Sequence, residues 1–172
     1  MQLGLSESAR VTTVDEARYR INKPNSRPRS SRIIALDATG ERVLKSLAGM
    51  AWNDAKFLKY VRARPATDQL ASLPVDAVLK DLDGNETSLN AEVAGADVTM
   101  MLIGSGSPAG AAEVVGNCCF VHGKLATGIV LNAGEGGADL AATLKAIRPY
   151  AAMLVVSTAE DYVAEILTSL RV

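Results

Sequence analysis

The chain has 172 residues, 48% of them apolar but only 4% aromatic, and a formal charge of −1. That is one ordinary domain, with a core that must be built from Ala, Val, Leu and Ile rather than from rings. The near-neutral balance argues against nucleic-acid binding by the body of the protein. No apolar run reaches the ~18–20 residues of a membrane span, and no signal-like stretch opens the chain, so a cytoplasmic setting is expected.

Residues 1–31 stand apart. They carry Arg10, Arg18, Arg20, Lys23, Arg27 and Arg29 with Pro24 and Pro28. They read as a basic arm or extension, either solvated or touching an acidic partner or nucleic acid, ahead of one domain over 32–172. Ile33–Leu36 is a short apolar strand, and Glu41–Met50 follows as a helix with Val43, Leu44 and Leu47 on one face. Lys56–Val61 reads as a strand and Arg62–Ser72 as loop or short helix broken by Pro65. Val75–Leu82 and Glu86–Leu89 flank Asp83-Gly84-Asn85, which is hairpin turn chemistry within 79–89.

Asn90–Ala94 is a short helix and Val98–Ile103 a strand. The next helix is expected over Pro108–Phe120, with Ser107 as its N-cap and Pro108 as its first residue. Leu125–Leu131 is a strand, Asn132–Gly137 a loop, and Ala138–Tyr150 a helix interrupted near its end by Pro149. Met153–Val156 and Asp161–Leu170 complete the set as strand and helix. Strands separated by helices imply βαβ units. The expected fold is therefore α/β, a doubly wound, mostly parallel Rossmann-like sheet with helices on both faces.

No catalytic constellation emerges. Cys118 and Cys119 are adjacent, which excludes a disulfide framework, and with only His122 nearby they do not make a metal site. They read as small buried residues on a helix. His122, the one histidine, falls between a helix end and a strand. The acid pairs Asp81/Asp83 and Glu160/Asp161 sit where turns and helix starts use carboxylates.

The chain's one candidate site is an anion site. Three strand ends gather small and polar residues on one rim: Asp37–Gly40, Gly104–Ser107 and Asn132–Gly137. In doubly wound sheets ligands sit outside the carboxyl ends of the strands. Gly104, Gly106, Gly134, Gly136 and Gly137 permit close backbone approach, Thr39, Ser105 and Ser107 add hydroxyl donors, and Gly40, Gly110 and Asn132 complete the candidate binding residues. Gly104–Ala109 fits the dinucleotide pattern G-x-G-x-x-A, though no acidic residue ends the following strand to hold a ribose. The other reading of these glycines is structural: they serve unusual dihedrals and tight packing. Asp37 would repel a phosphate, yet it could hold magnesium or a base edge.

The order of these segments resembles the nucleotide-binding half of the tubulin and FtsZ superfamily. The corresponding stretches are Arg32–Glu41, Ala94–Val98, Gly104–Ser107 with Gly110-Ala111-Ala112, Thr127–Leu131, Leu144–Ile147 and Ala152–Val156. The resemblance implies a GTP- or GDP-binding domain using Mg2+. The phosphate-facing loop is shorter than the family's and holds Pro108, and the family's hydrolytic acidic loop would lie beyond Val172. The expectation is thus binding without hydrolysis or polymerisation. Two alternatives stand beside it: a non-enzymatic interaction or scaffold protein that has lost its ligand, and a Rossmann-type NAD- or flavin-binding protein. A homodimer is compatible with each.

Overall fold

In the computed structural model the described residues are 29–64, 76–132, 134, 137–170 and 172. Most of the basic arm, and the 65–75 part of the expected loop, lie outside them. The strands are β1 (Ser31–Ala35), β2 (Ala55–Ala63), β3 (Ala77–Asp81), β4 (Glu86–Ser88), β5 (Val98–Gly104), β6 (Leu125–Leu131) and β7 (Met153–Ser157). The helices are α1 (Ala38–Ala48), α2 (Leu89–Ala94), α3 (Gly110–Val121), α4 (Gly137–Ile147) and α5 (Glu160–Ser169), with a 3-10 turn at Arg148–Tyr150.

All seven strands join one sheet in the order β4-β3-β2-β1-β5-β6-β7. The run β2-β1-β5-β6-β7 is parallel, and β3 and β4 add an antiparallel edge. The α/β, mostly parallel Rossmann-like architecture expected from the segment order is the observed one. From β1 the chain steps outward to β2 on one side and returns to β5 on the other. The topological switch point is therefore the crevice outside the carboxyl ends of β1 and β5.

The two faces of the sheet divide the apolar residues by strict alternation, as a sheet covered on both sides requires. Ile34, Met101, Ile103 and Val130 pack with Leu89, Val93 and Val115 of α2 and α3. Ile33, Met100, Leu102 and Ile129 pack on the other face with Val43, Leu44 and Leu47 of α1 and Val163 and Leu167 of α5. At the start of β1, Arg32 is only 6% exposed, and its Nε lies 2.8 Å from Glu92 Oε2. Lys56 reaches the same carboxylate oxygen at 3.1 Å. Burial pushes the Glu92 carboxyl up, but hydrogen bonds from Lys56 and Arg32 outweigh it and hold the group below its ordinary value.

Several boundaries differ from expectation. β1 is Ser31–Ala35 rather than Ile33–Leu36, and α1 runs over Ala38–Ala48 rather than Glu41–Met50, with Asp37 as its N-cap. Arg62 and Ala63 belong to β2, which continues past an irregularity between Tyr60 and Arg62. The helix expected to reach Tyr150 ends as α4 at Ile147, and Pro149, without an N–H, falls in the 3-10 turn. Finally, α3 starts at Gly110 rather than Pro108, and its cap residue Ala109 makes no side-chain cap bond. Ser107 does not cap it, because its hydroxyl is engaged elsewhere, as follows.

Candidate functional site

The rim at the carboxyl ends of β1, β5 and β6 is organised by one side chain. Asp37 is the N-cap of α1: its Oδ1 accepts the Gly40 N–H at 2.7 Å. Its Oδ2 crosses the switch point and accepts the Gly104 N–H at 2.8 Å and the Ser107 hydroxyl. A carboxylate thus occupies the position between two strand–helix loops where a bound anion would collect N–H donors.

The other nitrogens of Gly104–Ser107 are also bonded inside the protein. Ser105 N–H donates to the Leu131 carbonyl at 2.9 Å, and Ser107 N–H to the Gly104 carbonyl at 3.3 Å. Gly106 N–H donates to Thr143 Oγ1 at 2.9 Å, a hydroxyl buried on α4. Gly106 itself is exposed with φ of 83°, so glycine is there for the left-handed turn.

The structure brings the expected site residues to this one rim and gives most of them packing or bonding roles. A Cβ on Gly40 would lie 2.6 Å from the Leu102 carbonyl oxygen, so its missing side chain lets α1 cross β5. A Cβ on Gly104 would meet Asp37 and Thr39, each at 3.0 Å. Ser105 Oγ donates to Asn132 Oδ1 at 3.4 Å, which also accepts the Gly134 N–H at 3.3 Å. Gly110 is exposed, and a Cβ there would meet nothing within 4 Å. The first turn of α3 is the open part of the rim.

A cavity of about 60 Å3 lies beside this rim, lined by Thr39, Arg42, Asn132 and Ser157 among others. The larger cavities with described linings, about 410 and 370 Å3, lie at the opposite end of the sheet. Thr143 and Arg42 are among the rim residues that sequence reasoning missed. Neither carries a local signal, since each arrives from a helix surface with no motif around it. The hub role of Asp37 had one: an Asp three residues before Gly40, at the start of a helical pattern.

The cysteines occupy the expected place, buried on α3. Cys118 Sγ lies 3.4 Å from Asn90 Oδ1, and His122 Nε2 lies 2.9 Å from the same oxygen. Thiol and imidazole converge on one acceptor, so the ring is not aimed at the sulfur as a base. Burial, with smaller effects of Cys119 and Asp76, pushes the Cys118 thiol up to about 12. A thiol that stays protonated at neutral pH is no nucleophile. No group of three metal-ligating side chains comes together among the described residues, and no described helix is long and apolar enough to cross a membrane.

No known family model matches the chain, and no curated protein matches it. Among the solved structures that match is a 1.40 Å crystal structure of a protein from Bacteroides eggerthii provisionally named a flavoprotein, which aligns over 84% of this chain and 99% of its own. The two share 15% identity at a TM-score of 0.40. A likeness of that degree assigns no function.

Proposed function

We propose that this chain is a non-enzymatic interaction domain: a Rossmann-like core that fills its ligand crevice with its own Asp37 carboxylate and pairs with a second copy through β7. The observation that carries the reading is the Asp37 bridge, which uses the Gly40 and Gly104 N–H groups and the Ser107 hydroxyl. A phosphate would have to displace that carboxylate before finding donors there. GTP, GDP, NAD or flavin held by these loops does not fit without that rearrangement.

The β7 edge supports the interaction half of the proposal. Met153–Ser157 carries no charge, and Met153 and Val156 are 38% and 39% exposed. Edge strands usually carry charges, prolines or bulges against pairing, and this one does not. A two-fold axis beside β7 would join two sheets and remove the edge. Light scattering at about 50 μM chain is expected to give twice the monomer mass. Val156→Lys should halve that mass with an unchanged circular dichroism spectrum. A wild-type monomer would overturn the reading.

A second reading keeps the nucleotide. The open first turn of α3 at Gly110 and the small cavity beside Arg42 favour it, because a helix N-terminus and a guanidinium both favour an anion near the rim. On this reading GTP or GDP with Mg2+ would use Thr39, Gly110 and Asn132 after Asp37 turns away. Amide resonances of Gly110 and Ala111 that move saturably on titration with GDP and magnesium would favour it over the closed crevice.

A further inference from the structure

We propose that the groove between the end of α1 and the β3–β4 turn docks the chain's own basic segment, residues 17–28. The groove lies toward the edge of the sheet opposite β7 and does not depend on the reading above. Its volume is about 410 Å3, and its walls include Ala48, Phe57, Leu58 and Leu82.

Among the described residues this corner of the sheet lacks a cover. The apolar cluster beneath α1 and α5 draws on β1, β2, β5 and β6 but takes no residue from β3 or β4. Phe57 is half-buried there, and Leu82 is 45% exposed at the turn. A segment laid over them would remove apolar surface from water. The acids of the groove decide what charge that segment carries. Glu92 is engaged by Arg32 and Lys56, and Asp81 by Asn85. Asp83 pairs with no cation of the described residues, and Glu86 meets Lys80 at 3.4 Å with its own side chain 59% exposed. The groove therefore sets open carboxylates beside apolar walls.

Residues 17–28 match it in both respects. They hold Arg18, Arg20, Lys23 and Arg27 and no acid, with Tyr19 and Ile21 interleaved among the cations. The chain also delivers them to the right place. β1 begins at Ser31, and its Arg32 stands in register beside Lys56, which lines the groove. Neighbouring strands lie about 4.8 Å apart, so the groove is roughly 10–15 Å from that point, a distance that about five extended residues span. Being part of the chain, the segment is present at an effective concentration of about 1 mM or more, so modest contacts suffice. Its cations meet Asp83 and Glu86, and Tyr19 and Ile21 cover Phe57 and Leu82.

Carbodiimide coupling of the full chain, which joins an ammonium to a carboxylate without a spacer, tests the contact. Lys23 is the one lysine of residues 1–28. Peptide mapping by mass spectrometry is expected to find Lys23 joined to Asp83 or Glu86. In a mixture of isotope-labelled and unlabelled chain, those pairs should carry matching labels, as a bond within one chain requires. Salt at about 0.5 M should cut the yield about fivefold, since exposed charges are then screened. Arg20→Glu with Lys23→Glu alters no described residue, and it should move the Leu82–Glu86 amide resonances to the positions they take in high salt. Lys23 left uncoupled or coupled mainly to acids outside the groove, pairs of mixed label, or Leu82–Glu86 resonances indifferent to the double variant would overturn the proposal.

Discussion

Asp37 concentrates three hydrogen bonds that tie α1 to the β5 loop. Asp37→Ala removes an N-cap and leaves the Gly104 N–H without its acceptor. The expected loss is about 2–3 kcal/mol, from a cap of about 1 and an orphaned donor of about 1–2. Thermal unfolding should register it as a fall of roughly 5–10 °C. Gly40→Ala should cost as much, because its Cβ would meet the Leu102 carbonyl oxygen at 2.6 Å. Gly110→Ala should change stability little, since a Cβ there meets nothing. Glu92 carries a pH dependence. Its carboxyl is held below its ordinary 4.5, so it stabilises the fold above that pH, and the contribution is lost as pH falls through the lowered value. Urea midpoints should therefore decline below about pH 4.5, with a shallower decline in Glu92→Gln.

At the scale of elements, periodicity identified what burial controls. The residues of β5 alternate between two packed faces, and those of α1 place Val43, Leu44 and Leu47 on one, which apolar spacing alone shows. The Asp83-Gly84-Asn85 turn set the β3–β4 hairpin, where Asp81 accepts from the Asn85 backbone and side chain. Local chemistry misjudged the start of α3. Ser107 before Pro108 has every mark of a cap, but its hydroxyl bonds Asp37 from 70 residues away. Long-range partners of that kind leave no trace in sequence spacing. The glycines divide: Gly104 is closely approached by Asp37 and Thr39 and Gly40 by the Leu102 carbonyl, whereas a Cβ on Gly110, Gly134 or Gly137 would meet nothing within 4 Å, a difference that residue type does not show. For β7, which pairs β6 on one side, the proposed pairing of two copies predicts that a charge at Val156 leaves a monomer without unfolding the protomer.

For the whole molecule, the doubly wound sheet creates a crevice wherever strand order reverses, whatever the loops then do with it. Here the loops fill it from within, and the large described cavities open at the other end of the sheet. The fold class was readable from the order of segments because βαβ connections admit few arrangements. Whether the crevice is open was not readable, because the same glycines and hydroxyls serve either outcome. The most direct measurement is the melting temperature of the wild-type chain with about 1 mM GTP and magnesium. A closed crevice predicts a change within about 1 °C. A ligand present at about a hundred times its Kd would stabilise the fold by about 2.7 kcal/mol, and a rise of roughly 5 °C or more would contradict the Asp37 closure.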